Sequence, residues 1–291
     1  FITESYDGDG GFHQVFIGLG YKVFNNLSVG ANFSYLYGDI THQSMTTIGA
    51  TDTRSIKLDK FSISDYKLDF GLQYTYKLNK KNTINIGAVY TLGRTLHGDA
   101  YKYHQTGAES NGSIYVQSQT GDTIPNPFKM PHTFGIGLTY VYDNRLTIGV
   151  DYTLQKWNTA DLAWSKFNKE SVEMNSRTKI AFGAEFVPSY ISHNYLKRIR
   201  YRMGAYYSSP YNKVSYTSPD TGTTSFQDGA REYGVSIGFG LPMFQSKSML
   251  NISGQYIKVS PKFKGLMEEN YLRINIGLTF NERWFMKWKV D

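Results

Sequence analysis

Apolar residues recur at every second position in one segment after another of this 291-residue chain, and that period leaves few folds open. In "HTFGIGLTYVYDNRLTIGVDYTLQKW" (132–157), Phe134, Ile136, Leu138 and Tyr140 alternate with Thr133, Gly135, Gly137 and Thr139. After Asp143 and Asn144 come Leu146, Ile148, Val150, Tyr152 and Leu154, alternating with Thr147, Gly149, Asp151, Thr153 and Gln155. The pattern predicts a hairpin with one apolar face and one polar face. A water-soluble sandwich and a membrane barrel both alternate in this way, but they assign the two faces to opposite solvents.

Eleven strands are predicted: 13–23, 27–37, 64–78, 83–92, the two arms of the quoted hairpin, 177–186, 198–207, 231–241, 249–259 and 271–280. Their connections are sorted by length. Short ones follow the first, third, fifth and ninth strands (24–26, 79–82, 143–144 and 242–248). Long ones follow the second (to about 60), fourth (roughly 98–130), sixth (to about 173) and eighth (210 to about 230), and two of middle length span 188–197 and 260–270. Short turns on one side and long loops on the other is the arrangement of outer-membrane barrels, with the short turns periplasmic. No run of about 18 apolar residues occurs, which excludes a transmembrane helix but not a barrel, whose strands meet lipid only at alternate positions. The chain holds 24 Tyr, 18 Phe and 4 Trp, and Tyr21, Tyr35, Tyr37, Tyr74, Tyr76, Tyr140, Tyr142 and Trp157 fall near predicted strand ends, where interfacial girdles belong. The expectation is an all-β, antiparallel transmembrane β-barrel in the bacterial outer membrane. It forms a single domain over 1–291, with 281–291 as a periplasmic interfacial tail carrying Trp284 and Trp288; these two and Trp157 are expected interface anchors.

The polar face then lines a lumen. Lys67, Asp69, Asp151, Lys179, Glu185, Arg200, Arg202 and Arg273 lie on it. Two readings stay open. These charges brace the barrel as ion pairs, or Arg200, Arg202 or Arg273 forks an anionic headgroup such as a carboxylate. Phe16, also inward, is a candidate for a hydrophobic ligand pocket or for packing against a plug. "DGDGG" (7–11) has carboxylates spaced as in a calcium loop but lacks the following Glu, so it reads as a flexible extracellular loop. His13, His42, His97, His104, His132 and His193 show no metal-site spacing, and the absence of Cys removes disulfides and thiolate sites. No nucleophile elbow, phosphate loop or Ser–His signal occurs, so neither an enzyme nor a cofactor is expected. The net charge of +7 is concentrated near the periplasmic end, where anionic headgroups and not nucleic acid are the partners.

The segments "GGFHQVFIGLGYKVFNNLSVGANFSYLYG", "PHTFGIGLTYVYDNRLTIGVDYTLQKW", "GFGLPMFQSKSMLNISGQY" and "ENYLRINIGLTFNERWFMKWKV" resemble outer-membrane proteins of the Bacteroides group, and across the whole chain the architecture resembles the FadL-type long-chain fatty-acid transporters. The resemblance implies fourteen strands and an N-terminal hatch, with the hatch and three strands preceding residue 1. Strand parity agrees, because the first predicted strand runs from the long-loop side inward and an odd number must come before it. The resemblance further implies passive uptake of hydrophobic small molecules or fatty acids. The alternative is a non-transporting barrel that serves as a subunit or scaffold of a larger outer-membrane complex, such as the β-barrel assembly machinery.

Overall fold

A computed structural model describes residues 2–49, 53–110, 113–159, 173–217, 224–243, 248–261 and 267–279. Its strands are β1 (Ile2–Phe24), β2 (Leu27–Ile48), β3 (Thr53–Lys77), β4 (Asn82–Thr91), β5 (Arg94–Thr95), β6 (Gly98–Ser110), β7 (Ser113–Pro125), β8 (Lys129–Met130), β9 (Thr133–Tyr142), β10 (Leu146–Gln155), β11 (Arg177–Phe186), β12 (Arg200–Ser208), β13 (Lys213–Thr217), β14 (Thr224–Asp228), β15 (Ala230–Pro242), β16 (Met249–Pro261) and β17 (Glu269–Thr279). Eleven of them form one continuous wall in the order β1-β2-β3-β4-β9-β10-β11-β12-β15-β16-β17, each antiparallel to the next. These correspond one to one with the eleven predicted strands. Among the described residues β1 and β17 each pair on one side only.

The register keeps each face continuous from strand to strand. Val15 lies opposite Tyr35, which lies opposite Tyr66; Ile17, Phe33 and Leu68 form the next row. These rows do not make a core. Among the described residues the buried hydrophobics are Ile63, Leu96, Ala100, Val187, Ile199 and Ile257, whereas Leu19, Ile274 and Ile276 are 78%, 69% and 73% exposed. A water-soluble protein does not leave a sheet-wide apolar surface uncovered. The apolar face therefore meets lipid, and the polar face lines the lumen.

The turns follow from local chemistry. Asp143 and Asn144 both have positive φ, 50° and 53°, the geometry of a two-residue turn whose twist matches its strands. Between β3 and β4 the Asn79 side-chain oxygen accepts from the backbone N–H groups of Lys81 and Asn82, at 2.9 and 2.8 Å, which closes that turn.

On the long-loop side the fold departs from the expected one. β1, β2 and β3 are 23, 22 and 25 residues long and run far past the wall. The stretches 38–48 and 53–63, and much of 98–130, expected as loops, are strand. β3 changes partner along its length: Asp69–Lys77 pairs with β4, and Thr53–Ile63 pairs with β6. β6 pairs in turn with β7, so β1-β2-β3-β6-β7 make a five-stranded sheet beyond the wall. Outside the membrane both faces of a strand meet water, so the sequence loses its alternation there and no period marks the strand. The "DGDGG" motif also lies in β1, not in a loop; Asp7 and Asp9 oppose Gln43 and Thr41 in the ladder with Gly10 at φ 96°. Extended backbone holds the two carboxylates apart, which removes the calcium-loop geometry.

Candidate functional site

The lumen is tied at both ends by polar networks. At the short-turn end the β11–β12 register places Glu185 opposite Arg202. Arg202 Nε donates to Glu185 Oε2 at 2.7 Å and its Nη1 donates to Asn251 Oδ1 at 2.7 Å, so one guanidinium links β11, β12 and β16. Arg200 Nη1 donates to the other Glu185 oxygen at 3.1 Å, and its guanidinium lies 5.8 Å from the Tyr190 ring centre. Two arginines share one carboxylate, which leaves the cluster with a positive excess.

Nearer the long-loop side, Lys67 Nζ donates to Asp69 Oδ2 at 2.7 Å, and Thr91 Oγ1 donates to Asp69 Oδ1 at 2.6 Å across to β4. Lys179 lies with its ammonium 4.5 Å from the centre of the Tyr206 ring. Tyr206 donates to Glu232, and an Arg177 nitrogen lies 3.8 Å from that carboxylate. Tyr206 occupies the place a side chain would take at Gly234, since an added Cβ there would be 2.0 Å from the ring. Glycine on β15 thus lets the tyrosine lie flat across the neighbouring strand. Of the expected lumen charges, Lys67 pairs with Asp69, and Glu185 joins Arg200 and Arg202. Asp151 and Arg273 are exposed on the inner face. Phe16 is 69% exposed. A groove of about 580 Å³ runs along the inner face beside Gly71, Gln73, Asn85, Gly87, Val89 and Asp151. The Trp157 indole N–H donates to Gln155 at 3.1 Å, and its ring packs 5.7 Å from that of Tyr211. Trp284 and Trp288 lie outside the described residues.

A third cluster escaped the sequence reading. Asp65, nearly buried on β3, accepts from the backbone N–H groups of Tyr66 and His97, both at 2.7 Å. The Arg94 guanidinium lies 3.2 Å from Asp65 Oδ1, the oxygen that also accepts from Tyr66, and 3.7 Å from the Tyr66 ring centre. Nearby, Tyr90 and His132 share a 2.8 Å hydrogen bond across the base of the same excursion. Together they pin both ends of the segment that leaves β4, forms β5 to β8 and returns to β9. Asp65 has the polar-face parity of Lys67 and Asp69, which was the available signal; its partners are remote in sequence and gave none.

The groups described so far brace, orient and enclose. Comparison with known proteins then decides the family. The family model described as BamG matches residues 1–291. The chain belongs to the BamG family. Comparison with curated protein sequences returns no match. Among solved structures, a Pseudomonas aeruginosa FadL homologue aligns with TM-score 0.56 at 12% identity, over 88% of this chain and 61% of its own. The Ralstonia pickettii toluene transporter TbuX aligns with TM-score 0.56 at 13% identity, over 94% and 69%. The P. putida toluene transporter TodX aligns with TM-score 0.50 at 15% identity, over 86% and 63%. The chain spans only 38% of the RagAB peptide transporter, which it matches with TM-score 0.42. At these identities the likeness is one of fold: this BamG-family chain has the architecture of outer-membrane β-barrels, two of which, TbuX and TodX, are toluene transporters.

Proposed function

We propose that this BamG-family chain is an outer-membrane barrel subunit of a larger assembly associated with the β-barrel assembly machinery. Its long-loop side is extracellular and its apolar face is in contact with outer-membrane lipid. The observation that carries the reading is the ordered five-stranded sheet beyond the wall, held to it by Asp65, Arg94 and His97. A channel needs loops that gate; a subunit needs a rigid surface that presents backbone edges and side chains in fixed register. The Glu185, Arg200, Arg202 and Asn251 network supports the same reading, since it stiffens the wall and spends its donors on the protein itself. Family membership supports the choice of assembly. The two single-sided strands, β1 and β17, support the further proposal that additional strands complete the wall.

The test is native purification of the tagged full-length protein from outer membranes. Recovery in a stable stoichiometric complex with assembly-machinery subunits supports the reading, and recovery as a lone barrel overturns it. A second reading, passive passage of hydrophobic small molecules, is favoured by one observation: Val89 and Phe16, both apolar, are exposed on the inner face, with Val89 lining the groove. In that reading Arg273 or Asp151 would meet a polar group of the passenger. Uptake of a fatty acid or toluene by proteoliposomes holding the full-length protein, at rates above empty vesicles, is the measurement that supports it.

A further inference from the structure

Among the described residues the five-stranded sheet ends on β7, whose outer edge pairs with no strand. Asn126 N–H donates to Gly98 O at 2.7 Å, which makes Gly98 and Asn126 a hydrogen-bonded pair at the start of the β6–β7 ladder. In an antiparallel ladder such pairs recur every second residue. Thr120, Asp122 and Ile124 therefore turn their backbone groups toward β6, and Gln119, Gly121 and Thr123 turn theirs outward. Thr123 N–H is covered by the Asp122 carboxylate at 2.8 Å. Among the described residues no backbone partner meets the outward groups of Gln119 or Gly121. Natural sheets guard such edges with Lys, Pro or bulges. From Tyr115 to Ile124 the edge carries one charge, Asp122, and no proline; its register shift lies toward the tip, leaving the run from Ser118 regular.

The side chains beside this edge are specific on both faces. On one face the register aligns His42, Asp59, Lys102 and Asp122 across β2, β3, β6 and β7. The Asp59–Lys102–Asp122 signs alternate, so the next strand in the row is matched by a cation. On the other face Gly121 opposes Tyr103, and a Cβ at Gly121 would lie 2.9 Å from the Tyr101 hydroxyl. Tyr101 therefore reaches over the glycine to the edge, with its ring stacked on Tyr103 at 6.5 Å between centres. A residue beside Gly121 would find an aromatic shelf in place of a neighbouring side chain.

We propose that the outer edge of β7 takes an extended segment of another protein as a sixth strand, with a Lys or Arg beside Asp122 and an apolar residue on the Tyr101 shelf. Edge addition of this kind draws affinity from main-chain hydrogen bonds and selectivity from alternate side chains. The proposal rests on the reading of the chain as a subunit of an assembly and names the place and chemistry of one contact.

The test uses the full-length protein in its own outer membrane. A photo-reactive benzoylphenylalanine replaces Gln119 in one variant and Thr123 in another, and the crosslinked residues are mapped. The expected result is that both probes mark one partner chain, at residues four apart in one segment that carries a Lys or Arg between them. Gln119→Pro removes an outward N–H and leaves the β6 ladder intact. It is expected to cut the yield from the Thr123 probe more than tenfold, with the barrel's heat-modifiable mobility unchanged. Tyr101→Ser is expected to cut it similarly and Tyr101→Phe to retain it. Crosslinks within the chain, to a second copy, or to scattered residues overturn the proposal, as does full yield in Gln119→Pro. If partners copurify but no edge crosslink forms, the edge proposal fails and the subunit reading stands. If the protein purifies alone, both fail.

Discussion

Arg202 bridges Glu185 on β11 and Asn251 on β16, at 2.7 Å to each, so a single side chain couples strands on both sides of its own. The Arg202 side chain is 36% exposed and Glu185 25%, so lumen water weakens the pair. Replacing Arg202 with Met leaves Glu185 to Arg200 alone and strands the Asn251 amide oxygen. The expected loss is about 1–3 kcal/mol, the range for a charge-assisted hydrogen bond. Guanidinium unfolding of the refolded protein measures it. Combining the change with Glu185→Gln should cost less than the sum of the two single changes, because both remove the same contact.

The facing of the wall predicts a contrast within two strands. Ile148 on β10 and Ile276 on β17 stand on the apolar face, one residue away from Gly149 and Asn275 on the lumen face. Arginine at Ile148 or Ile276 is expected to cost roughly 2–4 kcal/mol, as for a cation near the middle of the membrane. Arginine at Gly149 or Asn275 should cost clearly less. A side chain starting from Gly149 meets only ordinary contacts, the nearest being Thr139 Oγ1 at 3.5 Å. Heat-modifiable mobility after refolding reads both pairs, and equal damage on the two faces contradicts the assignment of solvent.

Most of the wall was legible in the sequence because lipid enforces a strict rule: every second residue from Val15 to Tyr21, or from Leu272 to Phe280, is apolar or aromatic. The rule stops at the membrane surface. β6 and β7, with polar groups on both faces, carry no such signal, and the sheet they complete was read as loop. The lumen residues were legible by parity alone. That parity placed Glu185 and Arg202 on the same face, but only the register sets them opposite each other. Asp65 and Arg94 meet because the chain turns back after β4, a consequence of tertiary folding that no short spacing records.

Gly234 and Tyr206 form a test of how tightly the inner face is packed. A methyl group at position 234 would fall 2.0 Å from the Tyr206 ring, so the ring must leave and release Glu232. Gly234→Ala is expected to destabilise the barrel by about 1–3 kcal/mol, the usual cost of overpacking. The double variant with Tyr206→Ser removes the clash along with the ring and should recover part of that loss. A double variant as unstable as the two losses added together would show that the ring does not lie where the glycine admits it.

The last prediction concerns pH and the sheet beyond the wall. The Asp59 carboxyl is held above its ordinary value because burial penalises the charged form more than the nearby Lys102, His42 and Lys57 favour it; one of its oxygens, Oδ1, has no hydrogen-bond partner among the described residues. The sign of the linkage follows. A carboxyl whose folded pKa is raised binds its proton more tightly in the folded state, so its contribution to stability is fully present below the unfolded value of about 3.9 and is lost as pH rises through the folded value. At neutral pH Asp59 is therefore a net cost to the sheet. Asp59→Asn keeps the shape and removes the charge. Hydrogen exchange at the amides of β3 and β6 near Asp59 and Lys102 is the readout, because it reports local opening without requiring the barrel to unfold. The variant is expected to protect those amides better than the wild type at pH 7, with the difference fading as pH falls toward 4. If Asn at this position speeds exchange at pH 7, the attraction of Lys102, His42 and Lys57 outweighs burial, and the charged carboxylate holds the sheet together.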